Sequence, residues 1–318
     1  MKEDAITYLE MARIAMATVP DTIVEEMDMS DDEIINKLVY YFAIYSKENY
    51  VPKYGQYFIP KNLSILHILD ILKLGKVIQY KITIPEGLTT LETISRISDN
   101  KFLVGIINKE FYELEGLFLP ETYYFNKGYT RDDLLNRMKN DMQKILDNDW
   151  NNRARNLPYK TKYDVLKMAS IIESETGSEP EKKLIASVFI NRLNKNMKLQ
   201  SDPTVIYGLE KINKNKIKKI KKSHLRIDHA WNTYTRKGLP QSPISNPSRS
   251  SIYAALNPFQ TNYYYFVADK NGGHLFAKSL SEHNKNIRYL KNNDLLELND
   301  NKSIFLNDNQ LPSKKPVF

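Results

Sequence analysis

The sequence predicts an α+β protein in which a small strand–helix–strand module precedes a larger domain of mixed helices and aromatic strands. Three observations predict it. Apolar residues recur at helical spacing in several segments, clearest in Val165–Thr176 and Lys182–Asn194. Val77–Ile84 alternates like a strand, and Tyr263–Ala268 is an aromatic run of the kind buried strands use. Proline and glycine punctuate these segments, as at Pro85-Glu86-Gly87 and Gly272-Gly273.

Taken in order, residues 1–29 read as an amphipathic helix and an acidic patch, Glu25-Glu26-Met27-Asp28. Asp31 or Asp32 caps a second helix through Ile34, Leu38 and Phe42. Tyr54–Phe58 is a short strand, Asn62 or Ser64 opens a helix that Gly75 ends, and Val77–Ile84 closes the module. Residues 88–112 read as mostly helical. Thr130–Leu146 is a long amphipathic helix with Asp132 and Asp133 in its first turn, where the helix dipole favours acids. Pro203 is expected to hold Asp202 extended, and Gly272-Gly273 to close a hairpin. The divisions are 1–29, 30–84, 85–292 and a polar tail, 293–318.

At 318 residues the chain can bury a sizeable core. Its net charge of +8 favours anionic partners. The absence of cysteine removes disulfides, thiolate metal sites and cysteine nucleophiles. The five histidines form no HExxH pair, so no metal site is expected, and neither a GxSxG elbow nor a phosphate-binding GxxxxGK[ST] loop occurs. Lys211–Lys222 holds seven lysines without interleaved aromatics, which reads as a solvated loop and not as a nucleic-acid surface. No run of about 18 apolar residues is present to span a membrane.

Glu173 stands out chemically. It lies four residues after Ala169 and seven after Leu166, on the apolar stripe of its helix. An acid there either has a partner or is held neutral, and a neutral carboxylic acid can protonate a glycosidic oxygen. Glu175 points elsewhere. Gln200 and Asp202 can face one surface and suit sugar hydroxyls and acetamides, or Asp202 merely caps a turn. Trp231 and Tyr234 can stack on sugar faces, with Asn232 and Asn246 as amide partners, or the aromatics belong to the core. His274 follows the aromatic strand in a structural or a catalytic role.

Six motifs then occur in order: Gly116–Tyr123, Ala169–Thr176, Ala186–Leu193, Leu199–Val205, Asn232-Thr233-Tyr234 and Gly272-Gly273-His274. Together they closely resemble the YceG-like family of endolytic murein transglycosylases, over about residues 50–290. The resemblance implies a LysM-like module, here at 30–84, before a mixed α+β catalytic domain. It implies Glu173 as the catalytic acid and Asn191, Gln200, Asp202, Asn232, Tyr234, Asn246 and His274 as cleft residues. It also implies a bacterial membrane-anchored enzyme facing the periplasm or outer surface. Such an enzyme needs no cofactor and cuts nascent peptidoglycan strands made by penicillin-binding proteins, leaving a 1,6-anhydro-N-acetylmuramic acid end.

The sequence departs from the family in three places. The expected anchor has no counterpart in residues 1–29, Trp231 replaces a tyrosine, and Ser248 replaces a glycine, which restricts the loop if positive φ is required there. Two competing readings remain. One is a two-carboxylate hydrolase with Asp202, Glu175 or Glu121 as the second acid. The other is a non-catalytic glycan-binding scaffold protein.

Overall fold

A computed structural model describes residues 56–58, 67, 70, 71, 74–269 and 272–292. The expected segments 1–29 and 293–318 lie outside the described residues, as does most of 30–84. The chain is a mixed α+β protein with two small antiparallel sheets. It forms two compact units. One holds the described residues up to Pro85 together with Leu91–Tyr112 and Glu121–Arg137; the other holds Glu86–Thr90, Glu113–Pro120 and everything from Met138. The chain thus passes between the units repeatedly.

In the first unit, β1 (Tyr80–Thr83) pairs antiparallel with β2 (Thr122–Phe125), in the register Tyr80↔Phe125 to Thr83↔Thr122. The strand expected to end the N-terminal module therefore pairs with a strand some 40 residues downstream. Alternation decides which faces are buried: Ile82, Tyr123 and Phe125 point inward, and Lys81 and Tyr124 outward. Helix α1 (Thr90–Ser98) buries Ile94 and Ile97. Only part of 88–112 is helical: α1 ends at Ser98, residues 99–108 are turns and irregular structure, and a 3-10 turn begins at Lys109. Arg131 opens α2 (Arg131–Asn151), and its guanidinium donates to the carbonyls of Ser98, Asn100 and Gly105, which ties the intervening loop down.

The second unit is built on α3 (Lys162–Glu175). Thr161 and Asp164 form a reciprocal capping box at its start. Val165, Leu166 and the run Met168–Ile172 are all buried, so the helix is enclosed on most sides and the apolar stripe is wider than one face. Thr176 turns extended and ends it. Helix α4 (Glu179–Asn194) starts at once, with Pro180 in the first turn, where its missing N–H leaves nothing unpaired. Helix α5 (Asp202–Asn213) follows the same rule: Pro203 sits in its first turn and Ser201 is the extended residue. Asp202 is therefore the first helical residue and not the extended one expected, because a proline fits the first turn of a helix.

Helix α6 (Arg249–Leu256) packs on α3 and α4 through Ile252, Ala254, Ala255 and Leu256. The two alanines allow close approach, and each large aliphatic group buried in this layer is worth about 1.5–3 kcal/mol. This packing brings the N-terminus of α6 onto the end of α3. Strands β3 (Tyr265–Ala268) and β4 (His274–Ala277) form the expected hairpin, in the register Tyr265↔Ala277 to Ala268↔His274. It rests on α4 through Phe266, edge-on to Phe189 at 5.7 Å. Residues 280–292 are helical.

Candidate active site

Glu173 occupies the last turn of α3, and its side chain is only 6% exposed. Ser248, the N-cap of α6, donates to its Oε2 twice, from the backbone N–H at 2.8 Å and from the hydroxyl. Lys182 Nζ approaches its Oε1 at 3.4 Å. The sequence left open whether this acid has a partner, and it has several. Ser248 has φ −68°, so serine fits there without strain. The serine supplies a hydroxyl to the carboxylate while also capping Ser251 N–H.

Lys182 comes from the first turns of α4 and is fully buried. Its ammonium reaches Glu179 at 2.6 Å, Ser250 at 2.8 Å, Ser248 at 3.1 Å and Glu86 at 3.9 Å. A lysine removed from water needs such a shell, because an unpaired buried ammonium costs several kcal/mol. Glu86 and Glu173 share this ammonium, which lies 3.9 Å from Glu86 Oε2 and 3.4 Å from Glu173 Oε1. Burial pushes the Glu86 carboxyl above its usual value, and the adjacent Glu173 charge pushes it further, against the pull of Lys182. The cluster thus brings three acids and one base together at the end of a buried helix.

The turn that carries Glu86 is pinned. Gly87 N–H donates to Asn246 O, and Asn246 N–H donates to Leu88 O. Thr90 N–H donates to buried Glu115, which Tyr207 also holds through its hydroxyl at 3.0 Å. Gly87 has φ +74°, and a β-carbon there would stand 3.7 Å from Glu173 Cγ. The positive φ is what calls for glycine here, since the β-carbon itself would make only an ordinary contact with Glu173.

A second polar cluster faces Glu175. Ser201 Oγ donates to it at 2.6 Å, and Arg192, Asp202 and His274 are its neighbours. Burial dominates and pushes the Glu175 carboxyl up to about 7. Tyr234 donates to Asp202 at 2.5 Å, and His274 is bound through its Nδ1 and its backbone N–H to Glu181. The structure therefore gathers Asp202, Tyr234 and His274 around Glu175. Gln200 is exposed beside them, with φ 52°, its backbone N–H bound to Thr233 O.

The three asparagines are committed to the backbone. The Asn191 amide donates to Thr261 O and Tyr263 O, fixing the approach to β3. Asn232 is fully buried; it donates to Leu225 O and Ile227 O and accepts from Tyr234 and Thr235 N–H. Asn246, also fully buried, donates to Leu88 O and accepts from Phe118 N–H. Their amides hold loops in place around the acids. Trp231 packs edge-on to Tyr207 at 5.6 Å, and its indole N–H donates to Ser242. It lines, with Arg236 and Gln241, a concavity of about 310 Å³. Glu121 belongs to the first unit.

Lys182, Glu86, Glu179 and Ser248 escaped the sequence reading as site residues. Lys182 looks like an ordinary helix lysine, and its one local signal is Glu179 three residues earlier. Glu86 sits in a turn read as a boundary. Among the described residues no group of three or more histidine and acidic side chains is arranged to hold a metal, and no helix is long and apolar enough to cross a membrane.

A buried acid held by a lysine and a serine, in a mixed α+β protein, has the groups that acid–base chemistry uses. Comparison with known proteins gives the family. The YceG-like family profile matches residues 15–289, and the chain belongs to that family. The endolytic murein transglycosylase of Bacillus subtilis (strain 168) is 34% identical over 262 residues, covering 73% of this chain and 71% of that protein. The endolytic murein transglycosylase of Streptococcus pneumoniae serotype 2 is 28% identical over 291 residues, 77% of this chain, though these span only 52% of the pneumococcal protein. A solved yceG-like protein of Listeria monocytogenes has 29% identity and a TM-score of 0.52, covering 83% of this chain and 93% of its own.

Proposed function

We propose that this chain is a lytic transglycosylase that cuts peptidoglycan strands internally, at the β-1,4 bond between N-acetylmuramic acid and N-acetylglucosamine, with a 1,6-anhydro-N-acetylmuramic acid end as product. The enzyme class, a lyase acting on peptidoglycan, accords with family membership and with the names of the relatives. The observation that carries the site assignment is Glu173, 6% exposed and set among Lys182, Ser248 and Glu86.

The chemistry requires a proton delivered to the leaving oxygen and another taken from the C6 hydroxyl of the muramic acid. That hydroxyl attacks the anomeric carbon as the C–O bond breaks, so no water is consumed. An intramolecular nucleophile also avoids the entropy loss of capturing one from solution. Glu173 is the acid–base group at this centre, and the Glu175, Asp202, Tyr234 and His274 cluster offers hydrogen-bonding groups to the sugar. The working location is the outer face of the bacterial cytoplasmic membrane, beside penicillin-binding synthases that supply the strand.

Digestion of purified peptidoglycan with mass analysis of the released ends tests the proposal. Anhydro ends from the wild type and none from Glu173→Gln are expected. Reducing ends mean hydrolysis, and release unchanged in Glu173→Gln removes Glu173 from the chemistry.

A further inference from the structure

The chain has 46 basic and 38 acidic residues, an excess of eight. Residues Lys211 to Arg226 hold seven lysines, one arginine and no acid. This one segment therefore carries the whole excess, and the rest of the chain is neutral. We propose that it is a docking surface for an anionic lipid membrane.

The structure gives the segment a defined shape. Helix α5 ends at Asn213, and Lys214 takes the left-handed conformation, φ 55°, that turns the chain away. Glu210 holds the return: its Oε1 accepts from Ile217 N–H at 2.7 Å, and its Oε2 meets Lys216 Nζ at 3.3 Å. His224–Arg226 form a 3-10 turn, and the amide of buried Asn232 donates to Leu225 O and Ile227 O. The loop is thus fastened at both ends.

Its cations face water. All eight basic residues are exposed, as a solvated loop requires. Lys211 lies over the Tyr207 and Trp231 rings, and Lys216 is paired with Glu210. The side chains of Lys214, Lys218, Lys219, Lys221, Lys222 and Arg226 have no hydrogen-bond or ion-pair partner among the described residues. Like charges crowded into one loop repel one another, and an anionic surface relieves that repulsion. A cluster of about 4–8 lysines and arginines is of the size that anionic bilayers recruit.

Two observations select lipid over another polyanion. Ile212 is 55% exposed and Ile227 45%, one at each end of the segment. Apolar side chains flanking cations suit the boundary between headgroups and acyl chains, where lysine stems lie on apolar surface and their ammonium groups stay at the phosphates. A nucleic acid would call for aromatics to stack on, and the segment contains no phenylalanine, tyrosine or tryptophan. Position suits the contact too. Over its 12 residues α5 runs about 18 Å, from Asp202 in the Glu175 cluster to the basic loop. Lipid bound at the loop meets the opposite end of that helix from Asp202.

The test uses the full chain and phosphatidylcholine vesicles with or without about 30% phosphatidylglycerol, read by flotation. The wild type is expected to bind the anionic vesicles, to ignore the neutral ones, and to be released as salt rises toward about 1 M. The variant Lys218→Glu/Lys219→Glu/Lys221→Glu/Lys222→Glu is expected to bind at least about 10²-fold more weakly, with an unchanged urea midpoint. Should that reversal unfold the chain, the milder change of the same four lysines to glutamine is expected to weaken binding about tenfold. Ile212→Ser is expected to weaken binding to vesicles and not to inorganic polyphosphate, which has no acyl layer. Equal binding of the wild type to neutral and anionic vesicles overturns the proposal. So does a folded lysine variant, or Ile212→Ser, that binds vesicles as the wild type does. A wild type that holds polyphosphate or RNA but no vesicles overturns it as well. Anhydro-end formation on soluble strands is expected to be the same in the lysine variants, so the lipid contact and the cleavage reading fail on different assays.

Discussion

Lys182 Nζ lies 3.4 Å from Glu173 Oε1, with 2% of the lysine and 6% of the glutamate side chain exposed. Removing one member of a buried pair strands the other, which costs about 3–5 kcal/mol. Lys182→Met is therefore expected to lower unfolding free energy by that order in a urea titration. The double variant Lys182→Met/Glu173→Gln is expected to recover much of the loss, since no charge is then stranded. A single variant within 1 kcal/mol of wild type, as a rough bound, contradicts the pairing.

Ser248 caps α6 and hydrogen-bonds Glu173 with the same hydroxyl. Loss of an N-cap costs about 1 kcal/mol. Ser248→Ala is expected to show that loss in thermal unfolding, together with a lower rate of strand cleavage, because a donor that holds the Glu173 carboxylate in place has gone. The backbone N–H remains, so activity should fall without vanishing.

Glu175 makes stability depend on pH. Its folded value, about 7, lies above the ordinary 4.5, because burial disfavours the charge. Between those values the native state holds more protons than the unfolded state, so this group's contribution is full below pH 4.5 and is lost as pH rises through 7. The melting temperature of the wild type should carry this decline, and Glu175→Gln should flatten it. Parallel curves for the two proteins across pH 4–8 would refute the account.

Gly208 sits in α5 against the His229 ring, and a β-carbon there would lie 2.2 Å from the ring. His229 is buried and cannot move into solvent without opening the loop that leads to Trp231 and Asn232. Gly208→Ala is expected to cost about 1–3 kcal/mol by overpacking, read from denaturant midpoints. A neutral or stabilising outcome would mean that the ring has room to shift.

The parts of the site that were legible in the sequence are those where pattern and chemistry coincide locally. Glu173 broke an apolar stripe, and Gly272-Gly273 stood after an aromatic run; the first lies at the centre of the acid cluster and the second closes a hairpin. Asp202-Pro203 misled because proline restricts its predecessor and also opens helices; only the residues after it, Thr204 to Leu209, decide between the two. Lys182, Glu86 and Ser248 were illegible for another reason. Each is ordinary in its local setting, and its meaning comes from a cluster around Glu173 to which it is brought from 9, 87 and 75 residues away, which no periodicity encodes. Asn191, Asn232 and Asn246 show the converse: motif asparagines that look like ligands for a glycan have their amides occupied by carbonyls and N–H groups of the chain itself.

The N-cap position of Ser248 has a consequence for biosynthesis. Its bonds to Glu173 exist only once α6 has docked, long after α3 has left the ribosome. Nascent or truncated chains that stop short of this helix lack the groups that organise the acid. The acid is thus organised only after two segments made at different times have met.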